Sequence, residues 1–152
     1  MRVLLAADSS ECSKEALNFL SRLKWEDTDQ FMIISVVEPL PDAPALFPAS
    51  AKKHLQSEFE SKGALLEEFQ GLLQGSLGQE YTIETNICCG YAAAEICKYA
   101  QAWCADLIVL GSHGRKGLEH LLLGSVAEAV LKKATCTVNV VKPAIPQKVK
   151  VK

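Results

Sequence analysis

Residues 106–137 read DLIVLGSHGRKGLEHLLLGSVAEAVLKKATCT, and the fold turns on how this stretch is read. After Asp106 come four consecutive apolar residues, too few for a helix and without the alternation of a half-exposed strand. They predict a strand buried on both faces. A loop with Gly111, Gly114 and Gly117 follows, and a second turn at Gly124-Ser125 opens a helix over 125–133. A last strand over 136–141 is closed by Pro143.

The same grammar runs outward to the start of the chain. RVLLAA at 2–7 is another short apolar run, stopped by Asp8-Ser9-Ser10, and Ala16, Leu17, Leu20 and Leu23 recur at helical spacing over 10–24, with Ser10 as the helix start. FMIISVV at 31–37 is a second strand, ended by Glu38-Pro39. LPDAPALFPAS at 40–50 carries Pro41, Pro44 and Pro48 and predicts an ordered loop over one end of the sheet. Leu55, Phe59, Leu66, Phe69 and Leu73 mark one stripe of a long helix over 50–74, broken at 75–78. Tyr81, Ile83, Thr85 and Ile87 alternate with polar partners, as in an edge strand with one wetter face. Gly90 turns the chain into a third helix with Ala92, Ile96, Tyr99, Ala100 and Trp103 inward.

Alternation of this kind predicts an α/β fold: a single-domain, doubly wound sheet of five parallel strands with four helices. An order of 3-2-1-4-5 brings the ends of the first and fourth strands together where the strand order reverses. Open sheets of this class bind ligands there. The domain is expected over 1–143, with a lysine-rich tail over 144–152.

Composition narrows the function. With 49% hydrophobic and 22% charged residues, the chain reads as an ordinary soluble domain and not a disordered or fibrous one. Lys142, Lys148, Lys150 and Lys152 suit a solubilising tail better than a nucleic-acid arm, so no nucleic-acid partner is expected. No leader-like segment or long apolar span stands out, so the expected location is cytoplasmic, with no membrane partner. Cys12, Cys88, Cys89, Cys97, Cys104 and Cys136 lack metal-like spacing and read as reduced, mostly buried thiols. Cys88 and Cys89, adjacent on a strand, should point to opposite faces and not bridge. Trp25 and Trp103 read as packing residues, and His54 and His120 have no assigned role.

The glycines in the loop after the fourth strand have a chemical use. They let backbone N–H groups approach an anion, and the helix that starts at Gly124-Ser125 directs its amides and dipole at the same place. The Ser125 hydroxyl can serve either a phosphate or its own helix as a cap. Asp8, ending a neighbouring strand, suits a ribose hydroxyl or a metal ion. Arg115 is either a counter-charge for β- or γ-phosphate or a solvated loop tip, and His113 has reach to the same phosphates. Glycines after buried strands are also plain turn chemistry, and neither a P-loop nor a G-x-G-x-x-G motif is present.

The full spacing, Gly111-x2-Gly114-x9-Gly124-Ser125, resembles the nucleotide-binding pattern of the universal stress protein family, in its ATP-binding branch. VLLAADSSECSKEAL resembles that family's first strand and turn, SVVEP its second strand end, and ADLIVLGSHGRKGLEHLLLGSVAEAVLKKATCTVNVVK its last third. The resemblance covers about residues 2–142. It implies a flavodoxin-like (Rossmann-like) sheet with ATP, AMP or ADP at the switch point and Mg²⁺ or Mn²⁺ in company. It also implies a homodimer through the fifth strand, Thr137–Val141. By this carry-over Asp8 contacts ribose, Val36 adenine and Gly111 the ribose side. Gly114, Gly124, Ser125 and the Val126 amide hold phosphates, and Ala6 and Leu110 add apolar contacts. Three positions depart from the family pattern: Ser9 replaces a usual glycine, Thr137 replaces a proline, and Asn139 stands inside the apolar dimer strand. A stress-response nucleotide binder with at most slow hydrolysis is the leading expectation. The alternatives are a nucleotide-independent dimeric interaction module and a slow ATPase.

Overall fold

The structure, a computed structural model, describes residues 1–39, 48–114 and 123–143, the side chains of 48–51 excepted. Nine elements alternate through it: β1 (Arg2–Ala6), α1 (Glu11–Ser21), β2 (Gln30–Val37), α2 (Pro48–Leu77), β3 (Thr82–Cys89), α3 (Ala92–Ala102), β4 (Leu107–Gly111), α4 (Ser125–Lys133) and β5 (Thr137–Val141). The five strands are all parallel, in the order β3-β2-β1-β4-β5. The expected α/β architecture, strand order and helix number are all present. The expected tail at 144–152 lies outside the described residues.

Successive strand residues face opposite sides of a sheet, and the chain fills both sides. Val3, Leu5, Phe31, Ile33 and Val109 pack with α1 and α2, while Leu4, Met32, Ile34 and Ile108 pack with α3 and α4. The central strands are buried on both faces, as their unbroken apolar runs require. Each of these large side chains contributes on the order of 1.5–3 kcal/mol of burial free energy. Trp25 packs edge-on against Phe31, with ring centroids 5.1 Å apart. Trp103 lies under the Arg2 guanidinium at 5.9 Å. Both tryptophans are thus packing residues, as expected.

Several boundaries differ from the expectation. β1 stops at Ala6, one residue short of the predicted run, and Ala7 continues only through its N–H to the Ile34 carbonyl (2.8 Å). α1 ends at Ser21 rather than Lys24, leaving Leu23 exposed, because the core contacts of that face finish at Leu20. α2 begins at Pro48, within the predicted loop, since proline is tolerated in a first helical turn. Residues 40–47 of that loop lie outside the described residues. Gly75 does not break α2, which continues through it to Leu77. Gly78, at φ +116°, is the stop: its N–H donates to the Gln74 carbonyl (3.0 Å) in a backbone region few other residues adopt. Leu55 is exposed, and the buried apolar residues of α2 are Leu66, Phe69 and Leu73, with Lys62 buried one turn earlier. β3 is an edge strand as expected, but its alternation is imperfect, with Thr85 exposed.

The thiols need a correction as well. Cys12 and Cys88 are buried, Cys97 and Cys136 half-buried, and Cys89 and Cys104 exposed, so burial is not the general rule. Cys88 and Cys89 do face opposite sides, and burial pushes the Cys88 thiol pKa up. His54 is exposed on α2, and His120 lies outside the described residues.

Candidate functional site

The candidate site lies at the carboxyl ends of β1, β2 and β4, where β1 and β4 run side by side and the chain leaves the sheet in opposite directions. Asp8 follows β1, and its Oδ1 accepts from the N–H of Ser10 (3.0 Å) and from the Ser10 hydroxyl. This local turn is what aspartate forms readily two residues ahead of a partner amide. Ser10 also caps α1, its hydroxyl oxygen accepting from the Ser13 N–H (3.2 Å), while the Ser13 hydroxyl accepts from the Asp8 N–H (3.0 Å). The other Asp8 oxygen, Oδ2, points at Gly114: a Cβ built there would lie 2.9 Å from it.

The loop after β4 meets this turn directly. The Ser10 hydroxyl oxygen lies 3.2 Å from the His113 carbonyl oxygen. Ser112 is fully buried, its N–H donating to the Val141 carbonyl (2.7 Å) and its carbonyl accepting from the Gly124 N–H (2.7 Å). The Ser112 hydroxyl lies 3.1 Å from His113 Nδ1 and 3.8 Å from the Cys12 sulfur. One buried serine thus ties β5, the first turn of α1 and the start of α4 to a single point.

Gly111 has a structural duty within this arrangement. A Cβ there would stand 2.7 Å from the Cys12 carbonyl carbon and 2.9 Å from its oxygen, so the backbone of α1 lies directly against the end of β4. No larger residue fits without moving α1. Gly124 is tight too, with a Cβ position 3.1 Å from the Ser112 carbonyl oxygen.

All four helices begin at this end of the sheet, and the N-caps of α1, α3 and α4 fall among the described residues. α1 is closed by Ser10, and the first amide of α3, that of Ala92, donates to Glu38 Oε1 (3.1 Å) at the end of β2. The N-cap residues of α3 and α4, Tyr91 and Gly124, make no side-chain cap themselves. α4 differs in having, among the described residues, no carboxylate from another element on its first amide, and its first backbone bond is Glu128 N–H to the Gly124 carbonyl (3.0 Å). Among the described residues, no side chain closes the amides of Ser125, Val126 and Ala127. Ser125 is therefore the first helical residue and is exposed; of the two roles open to it, capping its own helix is excluded.

Beneath that opening lies an apolar floor on the α3–α4 side. Leu110 is buried in it, and Ala6, Val36 and Val126 are half-buried against it. Ala93 and Leu123, at the starts of α3 and α4, join the same cluster and were not foreseen. Of the expected site residues, Asp8, His113, Gly114 and Gly124 meet at one point, and Ala6, Val36, Leu110 and Val126 share the floor beside it. Gly111 faces the α1 side and can present only its backbone. Arg115, with Lys116, lies outside the described residues. Sequence reasoning missed Ser112, which carries no motif, and the capping part of Glu38. Asp8-x-Ser10 ahead of a helix was legible as a turn and a cap.

Elsewhere, a cleft of about 440 Å³ lined by Met1, Arg2, Thr28, Gln30, Cys104 and Asp106 opens at the opposite end of the sheet. Its polar groups already serve the fold: the Arg2 N–H donates to Asp106 Oδ2 (2.6 Å) and its guanidinium to the Trp103 carbonyl (3.0 Å). Among the described residues no helix is long and apolar enough to cross a membrane.

The sequence pattern of the universal stress protein family matches residues 1–142. Universal stress protein MJ0531 of Methanocaldococcus jannaschii is 37% identical over 145 residues, covering 93% of this chain and 81% of that protein. The solved structure of MJ0577, from the same organism, superposes with a TM-score of 0.82 at 26% identity, covering 95% of this chain and 96% of that one. An Arabidopsis thaliana family protein with AMP bound shares the fold, with a TM-score of 0.66 at 18% identity and coverage of 95% and 92%. The same fold holds cAMP in another universal stress protein and dAMP in one from Archaeoglobus fulgidus.

Proposed function

The chain belongs to the universal stress protein family, and from that premise we propose that it binds ATP, or AMP, where β1 and β4 separate, and acts in stress response or signalling as a cytoplasmic homodimer. The observation that carries this reading is the start of α4. Its first amides are uncapped, and beside them lie a half-exposed apolar floor and the Oδ2 of Asp8.

Each part of a nucleotide has a matching group. The adenine ring lies on Ala6, Val36 and Leu110, with Val126 at the edge. Asp8 Oδ2 accepts from a ribose hydroxyl, and the Gly111 backbone borders the sugar. The phosphates sit at Gly114, Gly124, Ser125 and the Val126 amide, where helix amides and dipole favour negative charge. His113 and Arg115 flank them. Among the described residues no group of three or more His, Cys, Asp or Glu side chains is placed to hold a metal ion. Mg²⁺ or Mn²⁺ would therefore arrive on phosphate oxygens and water, as hard cations do on nucleotides, and not in a protein cage. Hydrolysis, where it occurs, is at most slow in this reading. Self-association runs through the open edge of β5, Thr137–Val141.

Titration calorimetry on nucleotide-stripped protein tests the binding. Saturable heat with ATP or AMP is expected, and no heat with either at millimolar concentration overturns the reading. One observation favours the alternative of a nucleotide-independent dimeric module: Gly111 and Gly124 each lie against the chain's own backbone, so packing alone accounts for their lack of a side chain. In that case Ser125→Glu, at an exposed position, leaves cellular function intact. If the nucleotide carries the function, the added charge removes it while the fold persists.

A further inference from the structure

β5 borders β4 on one side and has an open edge on the other. The Thr137 N–H donates to the Asp106 carbonyl (3.2 Å), and the Val141 carbonyl accepts from the Ser112 N–H (2.7 Å). In a parallel ladder, alternate residues turn both backbone groups to the same neighbour. Thr137, Asn139 and Val141 thus address β4, and Val138 and Val140 turn their N–H and C=O outward. A second copy pairing antiparallel can use all of these outward groups within the strand in one register, with Val138 opposite the second copy's Val140 and the reverse. Centring the pair on Val138 instead would set Val140 against Cys136, and centring it on Val140 would set Val138 against Lys142, both beyond the ends of β5.

The two-fold axis of that register passes through Asn139. It faces its own copy in the non-hydrogen-bonded position, where Cα atoms stand about 4.5 Å apart and side chains are closest. Asn139 shares its face with Val141, which packs on the α1 side of the sheet, while Val138 and Val140 pack into the other core. It is half-buried in the single chain, and its amide has no hydrogen-bond partner among the described residues. A carboxamide carries both donor and acceptor, so two copies across a two-fold axis complete each other. An apolar residue opposite it would strip the amide of water and return nothing.

We infer that Asn139 sets the register of the β5–β5 pair and selects a second copy of this chain over a partner with an apolar residue at that position. This rests on the proposed dimer. The test mixes ¹⁵N-labelled wild-type chain with unlabelled Asn139→Leu, allows exchange, and counts dimers by native mass spectrometry. The mixed dimer is expected at about one-tenth of its statistical share. A second measurement, on Asn139→Cys under mild oxidation, expects a cross-link joining residue 139 to residue 139, located by peptide mass. Mixed dimers at the statistical share, or a cross-link that never joins the two copies of residue 139, overturn the assignment of Asn139 while the dimer stands. Wild-type protein that stays monomeric at micromolar concentration overturns the dimer itself.

Discussion

α1 and α4 both start against residues 112–114, on opposite faces of the sheet, and their first turns are built in opposite ways. α1 is closed by its own neighbours: Ser10 caps it, Asp8 holds Ser10, and the Ser13 hydroxyl takes the Asp8 amide. α4 starts at a glycine and leaves its first amides to whatever approaches. A helix beginning has donors that must be satisfied by something. Where side chains of the chain do this, the helix serves the fold. Where they do not, the same physics favours an anion, the role proposed for α4. Glu38 closes one amide of α3, that of Ala92, which places α3 between the closed start of α1 and the open start of α4.

Substitutions can break or sharpen that contrast. The largest effect is expected from Gly111→Ala, which forces a Cβ into the backbone of α1 and should lower unfolding free energy by about 3 kcal/mol; a urea melt with an unchanged midpoint would contradict the close packing of α1 on β4. Gly124→Asp should convert α4 to the closed type. The carboxylate takes the place of the anion and should weaken ATP binding by about tenfold or more in calorimetry, while thermal stability changes little. Unaltered affinity would mean that phosphate does not use this helix start. Opening α1 with Ser10→Ala should cost about 1 kcal/mol in the same melts, the usual worth of an N-cap, and should also loosen the Asp8 turn. The smallest effect, about 0.5 kcal/mol, is expected from Glu38→Ala, because that cap of α3 is exposed to solvent. A loss as large as that of Ser10→Ala would show that Glu38 holds more than one amide.

Much of this contrast was legible in the chain, though unevenly. Asp8-x-Ser10 before an apolar helix announces a turn and a cap, because both depend on residues two or three apart. Gly124-Ser125 announces a helix start but does not say which residue is the cap. That depends on the backbone angles at Gly124, which the buried Ser112 carbonyl fixes through the Gly124 N–H. Gly111 looked like a ligand-binding glycine, since the α1 backbone that crowds it is about a hundred residues away in the chain and invisible to local reading. Leu55 and Leu23 fit helical stripes yet stay exposed, because periodicity says which face a residue shares and not where the neighbouring layer ends.

The sequence by itself determined the alternation of strands and helices, the parallel sheet and the end at which its first and fourth strands bring Asp8 and the glycine loop together. These follow from local patterns of burial and from the handedness of crossovers. Only the tertiary structure decided which helix start stays open, which glycines are held by packing, and which residues of β5 face outward with Asn139 at their centre. Each of these depends on contacts between segments far apart in the chain, and on the direction of backbone groups that no side-chain pattern records.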